Sequence, residues 1–180
     1  MSKLSEDSRL HIATLGKSIG LRGDMKLHLF TDFPEQFKKS ATFLLQNGER
    51  ITIERIDLQR KRVKLLGVDT IEDAKRFTNR KIFTTVSDTR ANITLEEGEH
   101  FWFDIIGVRV FEEGVSLGVV EEMDRIATTT YLQIRTDDAL VQAGEAKRFL
   151  LPYEARHIEK KAIEEGILHV KGALDILRAS

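Results

Sequence analysis

Ala41-Thr42-Phe43-Leu44-Leu45-Gln46-Asn47-Gly48-Glu49-Arg50-Ile51-Thr52-Ile53-Glu54-Arg55-Ile56 sets two strand-forming runs on either side of Asn47-Gly48. Asn-Gly is the strongest short hairpin signal, because both residues accept the backbone angles of the tight turn that matches strand twist. The stretch therefore reads as a β-hairpin, and it commits the first half of the chain to antiparallel sheet.

Working back toward the N-terminus, Leu10, Ile12 and Thr14 alternate with His11, Ala13 and Leu15 up to Gly16, an extended segment that ends at glycine. Gly16 to Asp24 holds three glycines and reads as a loop shaped by a glycine bend. After it, Met25, Leu27 and Leu29 share one face and Lys26, His28 and Phe30 the other, as in a half-buried strand. Asp32 to Phe37 permits one helical turn, with Pro34 at its start and Asp32 as cap. Beyond the hairpin, Val63 to Val68 is a further strand. Asp69 and Glu72, with Thr70 and Asp73 beside them, form a capping-box-like start for a helix through Ala74 and Phe77. Ile82 to Val86 closes this half.

Ser87 to Gly98 is polar and acidic without a clear hydrophobic period, as expected of a linker. Past it, Ile105 to Phe111, Leu117 to Met123, Thr130 to Ile134, Arg148 to Leu151 and Ile167 to Val170 are short apolar or β-branched segments. Glu113-Gly114, Asp137-Asp138 and Glu165-Gly166 punctuate them, the pattern of a small closed or nearly closed sheet. The expected fold class is all-β: two small β-barrel domains, at residues 8–88 and 99–178, joined by a short linker at 89–98, with one or two short helices. No fixed-period repeat is visible.

Charge follows the same division. Residues 1–90 carry 18 Lys and Arg against 12 Asp and Glu, a net of +6, whereas residues 91–180 carry 10 against 17, a net of −7. Halves of opposite sign suit a molecule that faces a polyanion on one side and a cationic surface on the other. With 41% hydrophobic and 32% charged residues, the 180-residue chain is of ordinary globular composition. The absence of Cys removes disulfides, thiolate metal sites and cysteine nucleophiles together. Neither a signal-peptide core nor an apolar run of membrane-spanning length is present, and a cytoplasmic monomer is expected.

Catalytic chemistry finds little support. Gly16-Lys17-Ser18 superficially resembles a phosphate-binding loop, but His11 stands where the first glycine is required and the residues after Gly23 read as strand, not helix. His11, His28, His100, His157 and His169 are scattered and form no zinc-binding pair. No catalytic residue, cofactor or metal site is expected. The cations are more informative. Lys17, Arg22 and Lys26 surround the glycine loop, while Arg60, Lys61 and Arg62, followed by Lys64, crowd a turn and strand. Basic side chains in loops suit phosphate oxygens and salt-dependent RNA binding, with solvated charge as the plainer alternative. In the other half, three consecutive rings stand at Phe101-Trp102-Phe103, next to His100 and among acids. In an extended segment they cannot all enter one core, so at least one is expected at the surface or between domains, where an aromatic anchor is often worth ~2 kcal/mol or more.

The ordered motifs resemble those of the ribosome maturation factor RimM family. Gly16 to Asp24 is similar to the family's loop of Gly, basic residue, then Gly-Leu, Arg or Lys, Gly, and Glu or Asp, and Gly67-Val68-Asp69-Thr70 with Glu72 and Ala74 matches a second stretch. Gly98-Glu99, Trp102, Asp104 to Gly107, Val110, Leu117 to Val120 and Leu150 to Tyr153 resemble a PRC-barrel domain. The resemblance covers roughly residues 9–177. It implies a non-enzymatic assembly chaperone of the 30S subunit head that binds 16S rRNA and the basic ribosomal protein S-nineteen during late rRNA processing. It also implies that His100 and Phe101, with Trp102, form the protein contact; the family has two tyrosines at the first two positions. Both rings are kept and both phenol hydroxyls lost. Two other readings stand beside it: an RNA-modifying or nucleotide-dependent enzyme using the Gly16 to Asp24 loop, and a membrane-associated scaffold, which the missing membrane span disfavours.

Overall fold

The structure is a computed structural model and describes residues 4–180. Its hairpin is formed by β3 (Thr42–Leu45) and β4 (Arg50–Asp57), with Thr42 opposite Thr52, Phe43 opposite Ile51 and Leu44 opposite Arg50. Gly48 takes φ 85°, and the Asn47 side-chain oxygen accepts the Glu49 backbone N–H at 3.1 Å. Phe43, Leu45, Ile51 and Ile53 are buried while Thr42 and Arg50 are exposed, so the period-two pattern becomes an inside and an outside.

Four further strands extend the hairpin: β1 (Arg9–Ile19), β2 (Asp24–Leu29), β5 (Arg62–Leu65) and β6 (Lys81–Thr85). They close into a barrel in the order β1-β2-β5-β4-β3-β6, every pair antiparallel. Closure leaves no open edge to template pairing with another chain. Leu15, Met25, Leu27, Leu45, Ile53, Val63, Leu65 and Ile82 fill the inside.

Four local expectations need correction. Gly16 lies within β1, not in a bend: a Cβ there would sit 2.9 Å from the Lys26 Cβ and 2.8 Å from the His28 Nε2, so glycine is needed for close approach across the strands. The turn itself is only residues 20–23. The helix α1 (Ile71–Lys75) is capped by Thr70, whose Oγ1 accepts the Asp73 N–H at 3.1 Å and donates to the Asp73 carboxylate at 2.8 Å, one residue later than the Asp69-Glu72 pairing. The turn at Pro34–Gln36 is a short 3₁₀ helix flanked by Phe33, with no side-chain cap. Residues 87–98 are not all linker, because α2 (Val86–Asn92) occupies their first half. Thr85 caps it, and only Val86 and Thr89 are buried, too sparse a stripe to show in the pattern.

The chain divides into two compact units, Ser5–Thr94 and Leu95–Ser180. The second holds β7 (Arg109–Glu112), β8 (Val115–Ile126), β9 (Thr129–Thr136), β10 (Arg148–Pro152), β11 (Ile158–Ala162) and β12 (Ile167–Val170), in the order β10-β9-β8-β7-β12-β11. Only β7 and β12 run parallel. Val110, Leu117, Val120, Leu132, Ile134, Leu151 and Leu168 are fully buried in its core. Three short helices accompany the sheet: α3 (Trp102–Ile105), α4 (Asp138–Gln142) and α5 (Ala173–Arg178). Helices are thus more numerous than the one or two expected, each too short to show a period. Helix α3 replaces the start of the strand expected from Ile105. Strand β11 escaped notice because its centre, Glu159-Lys160-Lys161, is exposed and charged, as edge strands commonly are. The Glu112 carboxylate accepts the Gly172 and Leu174 N–H groups and so caps α5 from a different strand.

Candidate nucleic-acid interface

Three of the basic residues become neighbours through strand register. β1 and β2 change register between Leu15 and Ser18, so Gly16 and Lys17 together oppose Lys26. Lys26 in turn is the partner of Arg62 on β5. Lys17, Lys26 and Arg62 therefore cross the outside of the barrel on three adjacent strands. Arg62 then pairs with Asp57 on β4. Between them the chain turns through residues 58–61, where the Asp57 carboxylate accepts the Arg60 N–H at 2.9 Å and Lys61 takes φ 50°.

An open groove of about 680 Å³ follows this wall, lined by Asp24, Arg55, Asp57, Arg60 and Arg62 among others. The Arg55 guanidinium donates to both Asp24 oxygens, at 2.8 and 3.1 Å, and this hydrogen bond, with the carboxylate charge, holds Arg55 above its ordinary range. Arg60 faces Asp57 at 3.9 Å. Arg62 differs: its Nε is buried and has no hydrogen-bond partner among the described residues. Arg22 lies apart from this belt, at the tip of the β1–β2 turn.

Lys64 belongs to a different task. It is 6% exposed, and its ammonium donates to the Val68 carbonyl at 2.5 Å and to Asp69 at 2.6 Å, with Glu54 at 3.5 Å. Burial alone would push its pKa down, but the hydrogen bond and charge of Asp69, with Glu54, outweigh that and hold it above the ordinary lysine range. Lys64 thereby ties residues 66–69 to the barrel rather than offering charge to a ligand. Those residues press on the β1–β2 turn, since a Cβ on Gly23 would fall 2.0 Å from the Val68 carbonyl oxygen. The paired turns present Arg22 beside two exposed leucines, Leu21 at 79% and Leu66 at 66% exposure. Sequence reasoning passed over these leucines, although a leucine between glycines in a turn has little core to enter.

In the second unit, Phe101 and Phe103 stack at 4.9 Å with their planes 10° apart, and Trp102 meets Phe103 edge-on at 5.7 Å. Phe101 is 5% exposed and Phe103 2%, while Trp102 is half-buried against the second core and His100 is half-buried. Phe101 is packed away by its stack on Phe103, which leaves His100 and Trp102 with accessible surface, flanked by the exposed Glu96, Glu97 and Glu99. Among the described residues no three His, Asp or Glu side chains converge as metal ligands. The Gly16 to Asp24 stretch leads into β2, with no helix start to cradle a nucleotide phosphate. None of the described helices is long and apolar enough to cross a membrane.

Comparison with known proteins agrees in order and extent. A family model described as the RimM N-terminal domain matches residues 10–89, and one described as the RimM PRC barrel domain matches residues 102–176. A protein of Sulfurimonas denitrificans named ribosome maturation factor RimM is 48% identical over 180 residues, covering 100% of both chains. One of the same name from a Nitratiruptor species is 43% identical over 172 residues, covering 96% of this chain and 99% of its own. A crystal structure of a RimM protein from Pseudomonas aeruginosa is 21% identical and covers 93% of this chain and 99% of its own, with a TM-score of 0.41, too low to inform the site.

Proposed function

The chain belongs to the RimM family of ribosome maturation factors, and on that premise we propose that it is a cytoplasmic, monomeric, non-enzymatic chaperone of 30S head assembly. Its first unit grips 16S rRNA in immature 30S subunits, and its second meets the basic ribosomal protein S-nineteen. The observation that carries this division of labour is that charge changes sign where the fold does. Ser5–Thr94 holds 17 Lys and Arg against 12 Asp and Glu, and Leu95–Ser180 holds 10 against 17. A positive unit attracts and orients on a phosphate backbone, and a negative one on a basic protein.

Lys17, Lys26 and Arg62 are the first RNA contacts in this reading, with Arg60 and Lys61 beside them and Arg22 reaching a neighbouring phosphate from the turn. His100 and Trp102 provide the protein contact, and Phe101 supports them from beneath. Crosslinking the intact chain to precursor 30S particles tests the assignment. RNA crosslinks should fall on Ser5–Thr94 and protein crosslinks near His100 and Trp102. RNA crosslinks concentrated in Leu95–Ser180 would overturn it.

A further inference from the structure

A second cationic groove lies on the far side of the barrel. In the closed order β1-β2-β5-β4-β3-β6, strand β3 stands opposite β2, so the residues around β3 face away from the Lys26 and Arg62 wall. Here a polar groove of about 460 Å³ runs between α2 and residues 38–43, and Lys38, Lys39, Ser40, Thr42, Arg50 and Asp88 help to line it. Lys38 and Lys39 are held on a tight turn. The Ala41 N–H donates to the Lys38 carbonyl at 3.1 Å, and Ser40, at φ 68°, donates its N–H to the Ile53 carbonyl at 2.7 Å. Arg50 arrives from the other arm of the hairpin, across from Leu44.

Among the described residues, the charged ends of Lys38, Lys39 and Arg50 have neither an ion pair nor a hydrogen bond. This separates the groove from the one along β4 and β5, where Arg55 and Arg60 already face carboxylates. Three unpaired cations against the single carboxylate of Asp88, with the Ser40 and Thr42 hydroxyls between them, match a sugar-phosphate backbone. A preset turn lowers the ordering cost of binding.

We propose that this groove is a second RNA-backbone site, so that the first unit holds two separate stretches of rRNA on opposite sides of its barrel. The proposal rests on the reading of this unit as RNA-binding. The test measures binding of the full-length protein to a 16S rRNA transcript as a function of KCl concentration. The triple variant Lys38→Gln, Lys39→Gln, Arg50→Gln should lower the slope of log affinity against log salt by about 2, at roughly 0.7 for each phosphate contact on a single strand. Its melting temperature should not change, and Lys38→Arg, Lys39→Arg, Arg50→Lys should keep the full slope. An unchanged slope in the glutamine variant, with a fall in Lys26→Gln, Arg62→Gln, overturns the second site and leaves the first standing. A wild-type affinity independent of salt overturns both.

Discussion

Gly23 and Val68 leave no room between them: a Cβ on Gly23 would fall 2.0 Å from the Val68 carbonyl oxygen, and Gly23 sits at φ 77°. Two turns distant in sequence are thus pressed into one tip. Gly20, at φ 68°, has nothing within 4 Å of the equivalent position. Gly20→Ala should therefore cost only the left-handed backbone penalty, roughly 1–2 kcal/mol. Gly23→Ala adds a backbone clash and should cost at least ~2 kcal/mol more. Urea denaturation of the two variants measures the difference; equal losses would mean that the turns are not in contact.

Lys64 holds the same tip from below. Lys64→Met leaves the Val68 carbonyl without its donor and should destabilise the protein by about 1–3 kcal/mol near neutral pH. Because the folded-state pKa is raised, the part of this stabilisation that depends on the charge beside Asp69 and Glu54 is complete below the ordinary lysine value of 10.5 and is lost as pH rises through the higher folded value. The gap between wild type and variant should narrow only in strong alkali. A constant gap across that range would count against the ion pair with Asp69.

Glu121 should show the opposite pH dependence. Its carboxylate accepts a hydrogen bond from Arg148 at 2.7 Å and lies 3.3 Å from Arg135, contacts that hold its pKa below the usual carboxylate value despite partial desolvation. The stabilisation is present above the ordinary value of 4.5 and disappears as pH falls through the lowered one. Glu121→Gln should lower the melting temperature at pH 7 and make no difference in strong acid.

Arg62 and Lys17 should both contact RNA but differ in how far a change of cation is tolerated. Each grips one phosphate, so Lys17→Gln and Arg62→Gln should both reduce the salt slope by roughly 0.7–0.9. Only Arg62 offers a planar guanidinium fork that can hold two phosphate oxygens at once, so Arg62→Lys should fail to restore full affinity despite keeping the charge. Full recovery with lysine would reduce its role to charge alone.

Phe101 and His100 should separate stability from contact. Phe101→Ala removes a buried, stacked ring and should cost about 3–5 kcal/mol. His100→Ala should leave the melting temperature unchanged and weaken association with immature 30S particles. Retained association would exclude His100 from the interface.

Much of the architecture is legible in local pattern. Strand alternation repeats every two residues and a hairpin closes over four, so Leu10 to Leu15, Met25 to Leu29 and the Asn47-Gly48 turn declare themselves within a short window. The sign of charge in each half is likewise a property of composition. The short helices were hidden for the converse reason, since α2 buries only two side chains and α3 spans a single turn.

What the sequence alone determined, then, is the β-rich class, the two-part organisation of charge and the types of residue on offer. Tertiary structure decided what each residue does. Lys64 and Arg62 are two positions apart on one strand and so share a face, yet the packing of residues 66–69 buries one ammonium in an ion pair while the other side chain stays on the outer wall. Gly16 is required because β2 passes close beside it, and Lys38, Lys39 and Arg50 meet because the hairpin folds back next to α2. Alternation is a short-range property of the backbone, whereas burial and partnership depend on which remote strands the closed barrel brings together.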